Sequence, residues 1–173
     1  FNQPSGMDVN DTGTELYIAD TQNHIIRKLN LTTFTTSAVA GNTATANYKE
    51  GIGTGANFNR PGDVSFDPAS GLLYVADMNN YRIRVVNVST RQTYAVAGSG
   101  LPGDITGNSL ASRFNLPGGV FYRQADQKVY AADSGNDKIK VIDTAAGNYV
   151  SRYAGMFAYD GDGSTIPAVV FNN

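Results

Sequence analysis

The sequence predicts an all-β fold made of three consecutive copies of one four-stranded unit. Three markers recur at nearly constant spacing along the 173 residues, and short β-prone segments recur between them. Almost no segment shows the spacing of apolar residues that is typical of an amphipathic helix. Repetition at such a long interval indicates a modular architecture in which each copy forms one structural unit.

The first marker is the dipeptide Phe-Asn, which begins at residues 1, 58, 114 and 171 and therefore at intervals of 57, 56 and 57 residues. The second is an Asp that follows each of the first three Phe residues by 19 positions, with an Asn three positions later. The third is a Gly that closes each copy. This spacing predicts units at residues 1–57, 58–113 and 114–170, with a fourth beginning at 171. The recurring residues are Asp20, Asp77 and Asp133, then Asn23, Asn80 and Asn136, then Gly41, Gly98 and Gly155.

Each copy contains four short segments that are rich in β-branched and aromatic residues and separated by Gly, Asn, Asp and Thr. In the first copy they are SGMDV, ELYIAD, HIIRKLNL and TTSAVAG. The second copy has DVSF, LLYVAD, RIRVVNV and TYAVAG, and the third has GVFY, KVYAAD, KIKVID and YVSRYAG. Four strands repeated without intervening helices predict the blades of a β-propeller, small twisted sheets that bury their faces against neighbouring blades.

The phrases FNxPxG, LYxAD, N-x-x-I-R and AVAG resemble the NHL repeat, and FNRPGDVSFDPASGLLYVADMNNYRIRVVNV follows that pattern almost throughout. The resemblance spans nearly the whole chain. It implies a propeller, most often six-bladed, that binds through loops at the ends of the ring. The third copy departs mildly, with Lys138 and Lys140 in place of Arg82 and Arg84. The YWTD repeat is a poorer match because this chain has no Trp.

Three blades do not close a ring, and an open arc exposes two apolar blade faces and two sheet edges. The sequence stops at FNN, where a fourth copy begins. We therefore expect either further blades outside this sequence or a second chain that completes the ring, and the truncated fourth copy favours further blades. The expected partners are neighbouring blades of the same or another chain, or a separate protein.

The composition argues against several classes of function. Thirteen basic and fifteen acidic residues give a net charge of -2, so there is no general attraction for nucleic-acid phosphates and no nucleic-acid partner is expected. No apolar run is long enough to predict a membrane span, and no leader pattern is present, although a start at Phe instead of Met indicates a processed chain. The absence of Cys excludes disulfides and thiolate chemistry.

Catalysis is the less favoured interpretation. His24 is the only His, so a multi-His zinc site cannot be assembled here, and no G-x-S-x-G phrase accompanies it. The DGDG stretch at 160–163 is similar to the start of a calcium loop but lacks the Glu expected at the twelfth position. We predict no catalytic residue, metal ligand or cofactor in this segment. The alternative is a metal-assisted lyase or hydrolase whose active-site residues lie largely outside it.

Residues that recur in every copy are expected to form the framework, because a functional site is normally assembled once from unlike groups. Asp20 and its equivalents are expected to accept hydrogen bonds from turn amides. Asn23 and its equivalents suit left-handed turn positions. The series Arg27, Arg84 and Lys140 is expected to pair with acidic groups or to line an end face.

Residues that break the repeat are the binding candidates, because variable loops on a rigid scaffold are common recognition surfaces. The Gly-rich segments that link the copies differ from one another, and so do the residues that follow the repeated Asn. The predicted function is a non-catalytic interaction or structural module. The partner-binding candidates are Tyr48, Lys49, Tyr81, Arg82 and Tyr159, with Glu50, Asp104, Asp160, Asp162, His24 and Asp137 at related positions.

Three N-x-S/T phrases begin at Asn10, Asn30 and Asn87, and these are possible glycosylation sites if the protein is secreted. Asn30 and Asn87 occupy the same place in their copies. The alternative is that Asn starts a turn there, as Asp143 is expected to do in the third copy. The sequons and the lack of Cys favour an extracellular or cell-surface location.

Overall fold

A computed structural model of the chain describes residues 1–155, which form three antiparallel β-sheets. The sheets follow one another along the chain, and each contains one copy of the four predicted strands. The all-β propeller architecture is therefore confirmed. The strands are β1 (Pro4–Val9), β2 (Glu15–Asp20), β3 (Ile25–Asn30) and β4 (Thr36–Gly41) in the first sheet, β6 (Pro61–Asp67), β7 (Leu72–Asp77), β8 (Arg82–Asn87) and β9 (Gln92–Ala97) in the second, and β10 (Pro117–Arg123), β11 (Lys128–Asp133), β12 (Lys138–Asp143) and β13 (Tyr149–Gly155) in the third.

The second sheet has a fifth strand that the sequence pattern does not predict. This strand, β5, is the two-residue segment Gly51–Ile52, and it pairs antiparallel with β9 at the outer edge. It comes from the segment between the first two sheets, so that loop folds back over the edge of the sheet that follows. Two residues carry too little pattern to be predicted as a strand from sequence.

The helices of residues 1–155 are five 3-10 turns of three residues each. None of them is long and apolar enough to cross a membrane. Three of these turns follow the strands that end in the repeated Asp, and the other two lie in the loops between sheets. They are Thr21–Asn23, Gly53–Gly55, Met78–Asn80, Ser109–Ala111 and Ser134–Asn136.

Two apolar cores lie between consecutive sheets, and each is built from the same positions. We call the side of a sheet that packs on the next sheet its forward face, and the opposite side its rear face. Tyr17 on the first forward face stacks on Phe66 on the second rear face, with ring centroids 5.4 Å apart. Tyr74 stacks in the same way on Tyr122 of the third sheet, at 5.3 Å. The forward faces contribute Tyr17, Ala19, Ile26 and Val39, then Tyr74, Ala76, Ile83 and Val96, and the rear faces contribute Phe58, Val64, Leu73 and Val75, then Phe114, Val120, Val129 and Ala131.

The first strands of the sheets, β1, β6 and β10, are joined by polar side chains that reach across to the next backbone. Asp8 Oδ2 accepts a hydrogen bond from the Phe66 amide at 2.8 Å, and Ser65 Oγ accepts one from the Tyr122 amide at 3.0 Å. Asp63 lies between sheets as well, because its Oδ2 accepts from the Val120 amide at 3.0 Å. Burial, chiefly, raises the pKa of Asp63. These bonds satisfy amides at the sheet junctions and fix the stagger of neighbouring sheets.

A buried charge pair recurs where the second strand of each sheet ends. The carboxylates of Asp20, Asp77 and Asp133 lie 2.6, 3.1 and 2.9 Å from the side-chain nitrogens of Arg27, Arg84 and Lys140. All three carboxylates are fully buried. The expectation that these cations pair with acidic groups is confirmed, and Arg84 and Lys140 are themselves fully buried instead of lining a surface.

Replacing Arg84 with Ala is expected to lower the free energy of unfolding by about 3–5 kcal/mol, because it leaves the Asp77 carboxylate buried without its cation. Arg27→Ala is the matched control. The Arg27 side chain is 24% exposed, so water can replace it and the expected loss is about 1 kcal/mol. Urea unfolding of both variants measures the difference, and equal losses would contradict the burial argument.

Gly6 is required by the close approach of β1 to β6. A Cβ at residue 6 would lie 2.5 Å from the Asp63 Cα, closer than backbone atoms pack. We expect Gly6→Ala to cost about 1–3 kcal/mol in unfolding free energy, the usual range for an overpacked site. Gly55→Ala is the control, because a Cβ there meets nothing within 4 Å. If Gly6→Ala leaves the free energy of unfolding unchanged in chemical denaturation, the first two sheets can separate without cost.

Candidate functional site

One end of the three sheets, here called the turn end, gathers most of the predicted binding residues. The first and third strands of each sheet start there, and the second and fourth strands finish there. The turn end therefore consists of the Phe-Asn-x-Pro segments, the 3-10 turns after the repeated Asp, and the loops between sheets at 42–57 and 98–113. The structure brings together at this end Tyr48, Lys49, Tyr81 and Arg82, whereas Tyr159, Asp160 and Asp162 lie outside the described residues.

The repeated Asp is held by a partner that the sequence analysis did not identify. Its Oδ1 accepts the backbone amide of the Asn in the Phe-Asn dipeptide, at 2.7, 2.8 and 2.6 Å in the three copies. The predicted donors, amides of the following turn, are replaced by an amide 18 residues earlier. The reason is spatial, because the incoming Phe-Asn segment runs beside the end of the second strand. The Asp thereby holds the Phe-Asn segment, which enters each sheet, next to the 3-10 turn that follows the second strand.

The repeated Asn also has a different role from the one predicted. Asn23, Asn80 and Asn136 finish the 3-10 turns and donate from Nδ2 to the neighbouring Asp at 2.8, 2.8 and 2.7 Å. The left-handed backbone belongs to the residue after each Asn. These residues are His24, Tyr81 and Asp137, with φ of 57°, 54° and 55°. A left-handed residue other than Gly costs about 1 kcal/mol, so the surrounding hydrogen bonds impose this geometry whatever the side chain.

A second left-handed series lies beside the first and was missed by the sequence analysis. It occupies the variable position of Phe-Asn-x-Pro, at Gln3, Arg60 and Leu116, with φ of 46°, 54° and 50°. The Arg60 amide donates to Nδ1 of His24 in the preceding sheet at 3.0 Å, which links the two series. The sequence carries one signal for this series, because the third residue of Phe-Asn-x-Pro differs in every copy while the rest of the motif repeats.

Tyr48 and Arg82 form one fixed patch on the second sheet. The Tyr48 ring lies over the Arg82 guanidinium at 4.2 Å, and its hydroxyl donates to Glu50 Oε1 at 2.6 Å. Burial, and then the bond to Glu50, raises the pKa of Tyr48, while the same bond lowers the pKa of Glu50. Arg82 donates to the carbonyls of Gly98 and Ser99 at 2.5 and 2.7 Å. The guanidinium is therefore a structural support, and the exposed part of the patch is the Tyr48 ring.

Two further loop residues differ in how far they are engaged. Lys49 is exposed, and its carbonyl accepts from Arg84 Nη2 at 2.8 Å, so its backbone is held while its ammonium faces solvent. Asp104 instead binds inward, to Lys138 and, at 3.0 Å, to Lys140. Burial opposes ionisation of Asp104, but hydrogen bonds from the two lysines outweigh burial and lower its pKa. Asp104 therefore holds the loop at 98–113 against the third sheet.

His24 and two carboxylates between the sheets accept backbone amides. Within residues 1–155 no group of three or more His, Asp or Glu side chains lies in a metal-binding arrangement. His24 accepts the Arg60 amide, and the carboxylates of Asp8 and Asp63 accept backbone amides of the next sheet. These three hydrogen bonds all join neighbouring sheets.

The three sequon residues start turns at the end of the sheets opposite the turn end. Asn30 Oδ1 accepts the amides of Thr32 and Thr33, and Asn87 Oδ1 accepts those of Ser89 and Thr90, all at 2.8–3.0 Å. Asn10 Oδ1 similarly accepts two amides after its own turn. In the third sheet Asp143 takes the same role. Turn formation explains these residues, and glycosylation at Asn10, Asn30 and Asn87 stays a prediction.

The comparisons with known proteins agree with the repeat analysis. Residues 58–86 match the family model described as NHL repeat. NHL repeat-containing protein 2 of Bos taurus is 33% identical over 152 residues, which cover 83% of this chain and 21% of that protein. The human protein of the same name is 32% identical over the same length. The chain thus spans about a fifth of the length of the curated relatives it matches.

Solved structures show the same fold at lower identity. A protein of unknown function from Bacteroides thetaiotaomicron superposes with a TM-score of 0.68 at 19% identity, covering 86% of this chain and 34% of that one. A chain of a nidogen/laminin complex superposes with a TM-score of 0.62 at 15% identity, covering 87% of this chain and 46% of that one. At these identities the likeness concerns the fold alone.

Protonation of His24 is expected to weaken the junction between the first two sheets, because its Nδ1 must be unprotonated to accept the Arg60 amide. Burial, and then the nearby Arg60 charge, lowers the pKa of His24 below 6.5. The unfolded chain then takes up the proton first, so the stabilisation is complete above about pH 6.5 and is lost as the pH falls toward the folded-state pKa.

The measurement is urea unfolding from about pH 7.5 to about pH 5, across the ordinary pKa of His, for the wild-type chain and His24→Asn. Asn tolerates the left-handed backbone and does not titrate, so it preserves the turn and removes the pH-dependent contribution. Parallel pH profiles for the two proteins would disprove the role of His24.

Proposed function

Because this chain belongs to the NHL-repeat β-propeller family, we propose that it acts as a non-catalytic binding module that holds a protein partner at its turn end. The observation that carries the proposal is the pair of left-handed series. Each series places a different side chain at one fixed backbone position in successive sheets: His24, Tyr81 and Asp137 in one, and Gln3, Arg60 and Leu116 in the other.

Fixed backbone with variable side chains is the arrangement that recognition requires. The main chain is already ordered at these positions, so little conformational entropy is lost when a partner binds. The side chains differ between sheets, so the surface has no internal symmetry that would limit it to a repetitive ligand.

The composition of the turn end supports a protein partner. Tyr48 is 39% exposed and Tyr81 is partly exposed, and tyrosines of this kind supply contact area with few rotatable bonds. Lys49 and Arg60 are exposed, and neither ammonium nor guanidinium is paired with a carboxylate in the described part of the chain. Exposed tyrosines and cations without a carboxylate partner at the same end of the sheets supply the anchors and the polar rim that are typical of a protein interface.

Tyr81→Asn and Arg60→Asn are expected to weaken partner binding about 30-fold each if these side chains are anchors of the interface. Asn suits the left-handed backbone at both positions, so the turns stay intact. The experiment uses the chain as immobilised bait in an extract of its source organism, followed by titration of the captured protein.

Phe34→Asn is the matched control. Phe34 is also left-handed, with φ of 57°, and is 78% exposed, but it lies in a turn at the opposite end of the first sheet. Equal losses in all three variants, or none in Tyr81→Asn and Arg60→Asn, would reject the turn end as the binding surface. Salt-sensitive RNA binding by the wild-type chain would favour a nucleic-acid partner in its place.

A further inference from the structure

A pocket of about 190 Å³ lies between the first and second sheets, near the end of the sheets opposite the turn end. One wall comes from strands β2, β3 and β4, and the other comes from the turn between β8 and β9. The exposed Ser37 and Arg91 both line it, so a ligand can enter from solvent. The remaining lining residues used below are Tyr17, Lys28, Val39 and Val88.

The wall on the first sheet departs from the repeat. Tyr17, Lys28 and Ser37 are cross-strand neighbours, so their side chains form one row on the forward face. The equivalent row of the second sheet is Tyr74, Val85 and Tyr94. A tyrosine stands in that row where the first sheet has the small Ser37, and the first sheet therefore leaves a space beside Lys28.

The wall on the second sheet brings a cation to this space. Arg91 reaches across the junction, where its Nε donates to the Val39 carbonyl at 3.0 Å and its Nη2 to the Ala38 carbonyl at 3.3 Å. Within residues 1–155, Nη1 has no acceptor and no carboxylate pairs with this guanidinium. The equivalent left-handed positions of the other two sheets are Phe34 and Asn148, which carry no charge.

The second cation of the pocket is already neutralised. Lys28 Nζ lies 2.5 Å from Glu15 Oε1, and the Tyr17 hydroxyl donates to Glu15 Oε2 at 3.1 Å. The pocket therefore carries one net positive charge, that of Arg91. Beside it, the Ser37 hydroxyl makes no hydrogen bond to the rest of the described chain and is available as a donor.

We infer that this pocket binds a small monocarboxylate with a short aliphatic tail. The carboxylate accepts hydrogen bonds from Arg91 and Ser37, and charge-assisted bonds from a guanidinium are among the strong ones. The tail packs on the buried Val39 and the half-buried Val88.

Charge and size both select this class of ligand. One unpaired cation balances one negative charge, so a dianionic phosphate would leave a charge uncompensated. The volume of about 190 Å³ is below the roughly 300 Å³ at which pockets for drug-sized ligands begin, so the ligand is a small one.

The test is a titration of the ¹⁵N-labelled chain with butyrate, followed through its backbone amide signals by NMR. The signals of Ser37, Val39 and Arg91 are expected to shift and to saturate with a Kd of about 1 mM, within the limit for so small a ligand. Butanamide has the same shape without the charge, and it and inorganic phosphate are expected to bind at least about tenfold more weakly. Shifts that do not saturate, or equal affinity for butanamide or phosphate, overturn the inference.

Two variants assign the binding to this pocket. Ser37→Tyr copies the equivalent Tyr94 and is expected to fill the space and abolish the saturable shifts. Arg91→Asn keeps the left-handed backbone and is expected to weaken butyrate binding at least about tenfold while leaving butanamide binding unchanged, which separates a lost charge from a lost fold.

Tyr81→Asn is the control, because Tyr81 lies at the turn end and is expected to leave butyrate affinity unchanged. The outcome is therefore independent of partner binding at the turn end. Full butyrate affinity in Ser37→Tyr or in Arg91→Asn overturns the inference.

Discussion

The buried charge pair at the end of the second strand is the constraint on which the rest of each sheet depends. In one desolvated place the carboxylate binds a cation from the third strand, the side-chain amide of the turn and the backbone amide of the entering Phe-Asn segment. An unpaired charge at this depth is costly, so all three partners must be present together. The position of the entering strand and the path of the turn are therefore set by a single side chain.

The third sheet shows how this constraint is met with a different cation. Arg84 uses its planar guanidinium to reach Asp77 and the carbonyls of Asn57 and Lys49. Lys140 is a point charge with a shorter reach, and it pairs with both Asp133 and Asp104. Both loops supply the carbonyl just before the Phe, from Asn57 to Arg84 and from Arg113 to Lys140. The second acceptor differs, because the Asp104 carboxylate takes the place of the Lys49 carbonyl. Loop sequence and framework cation are matched within each sheet.

The sequence was sufficient for features that depend on local pattern. The four repeated strands of each sheet are predicted within two residues, because these segments are rich in β-branched and aromatic residues and the turns between them carry Gly, Asn and Asp. Features that depend on distant contacts were not predictable. The donor to Asp20 lies 18 residues earlier, and β5 forms only because a loop returns to a sheet edge. The carbonyls that bind Arg82 belong to Gly98 and Ser99, which lie 16 and 17 residues later in the chain.

The loops between sheets also cover the outer edges of the strands. The first loop supplies β5 to the edge of β9, and in the second loop Gly107 exchanges two backbone hydrogen bonds with Val150 of β13. An uncovered outer strand is a template for pairing with other chains. The loops that are free to vary in side chains consequently have a minimum length. Their divergence is expected to proceed by substitution and insertion, because deletions would uncover the outer strands and promote aggregation.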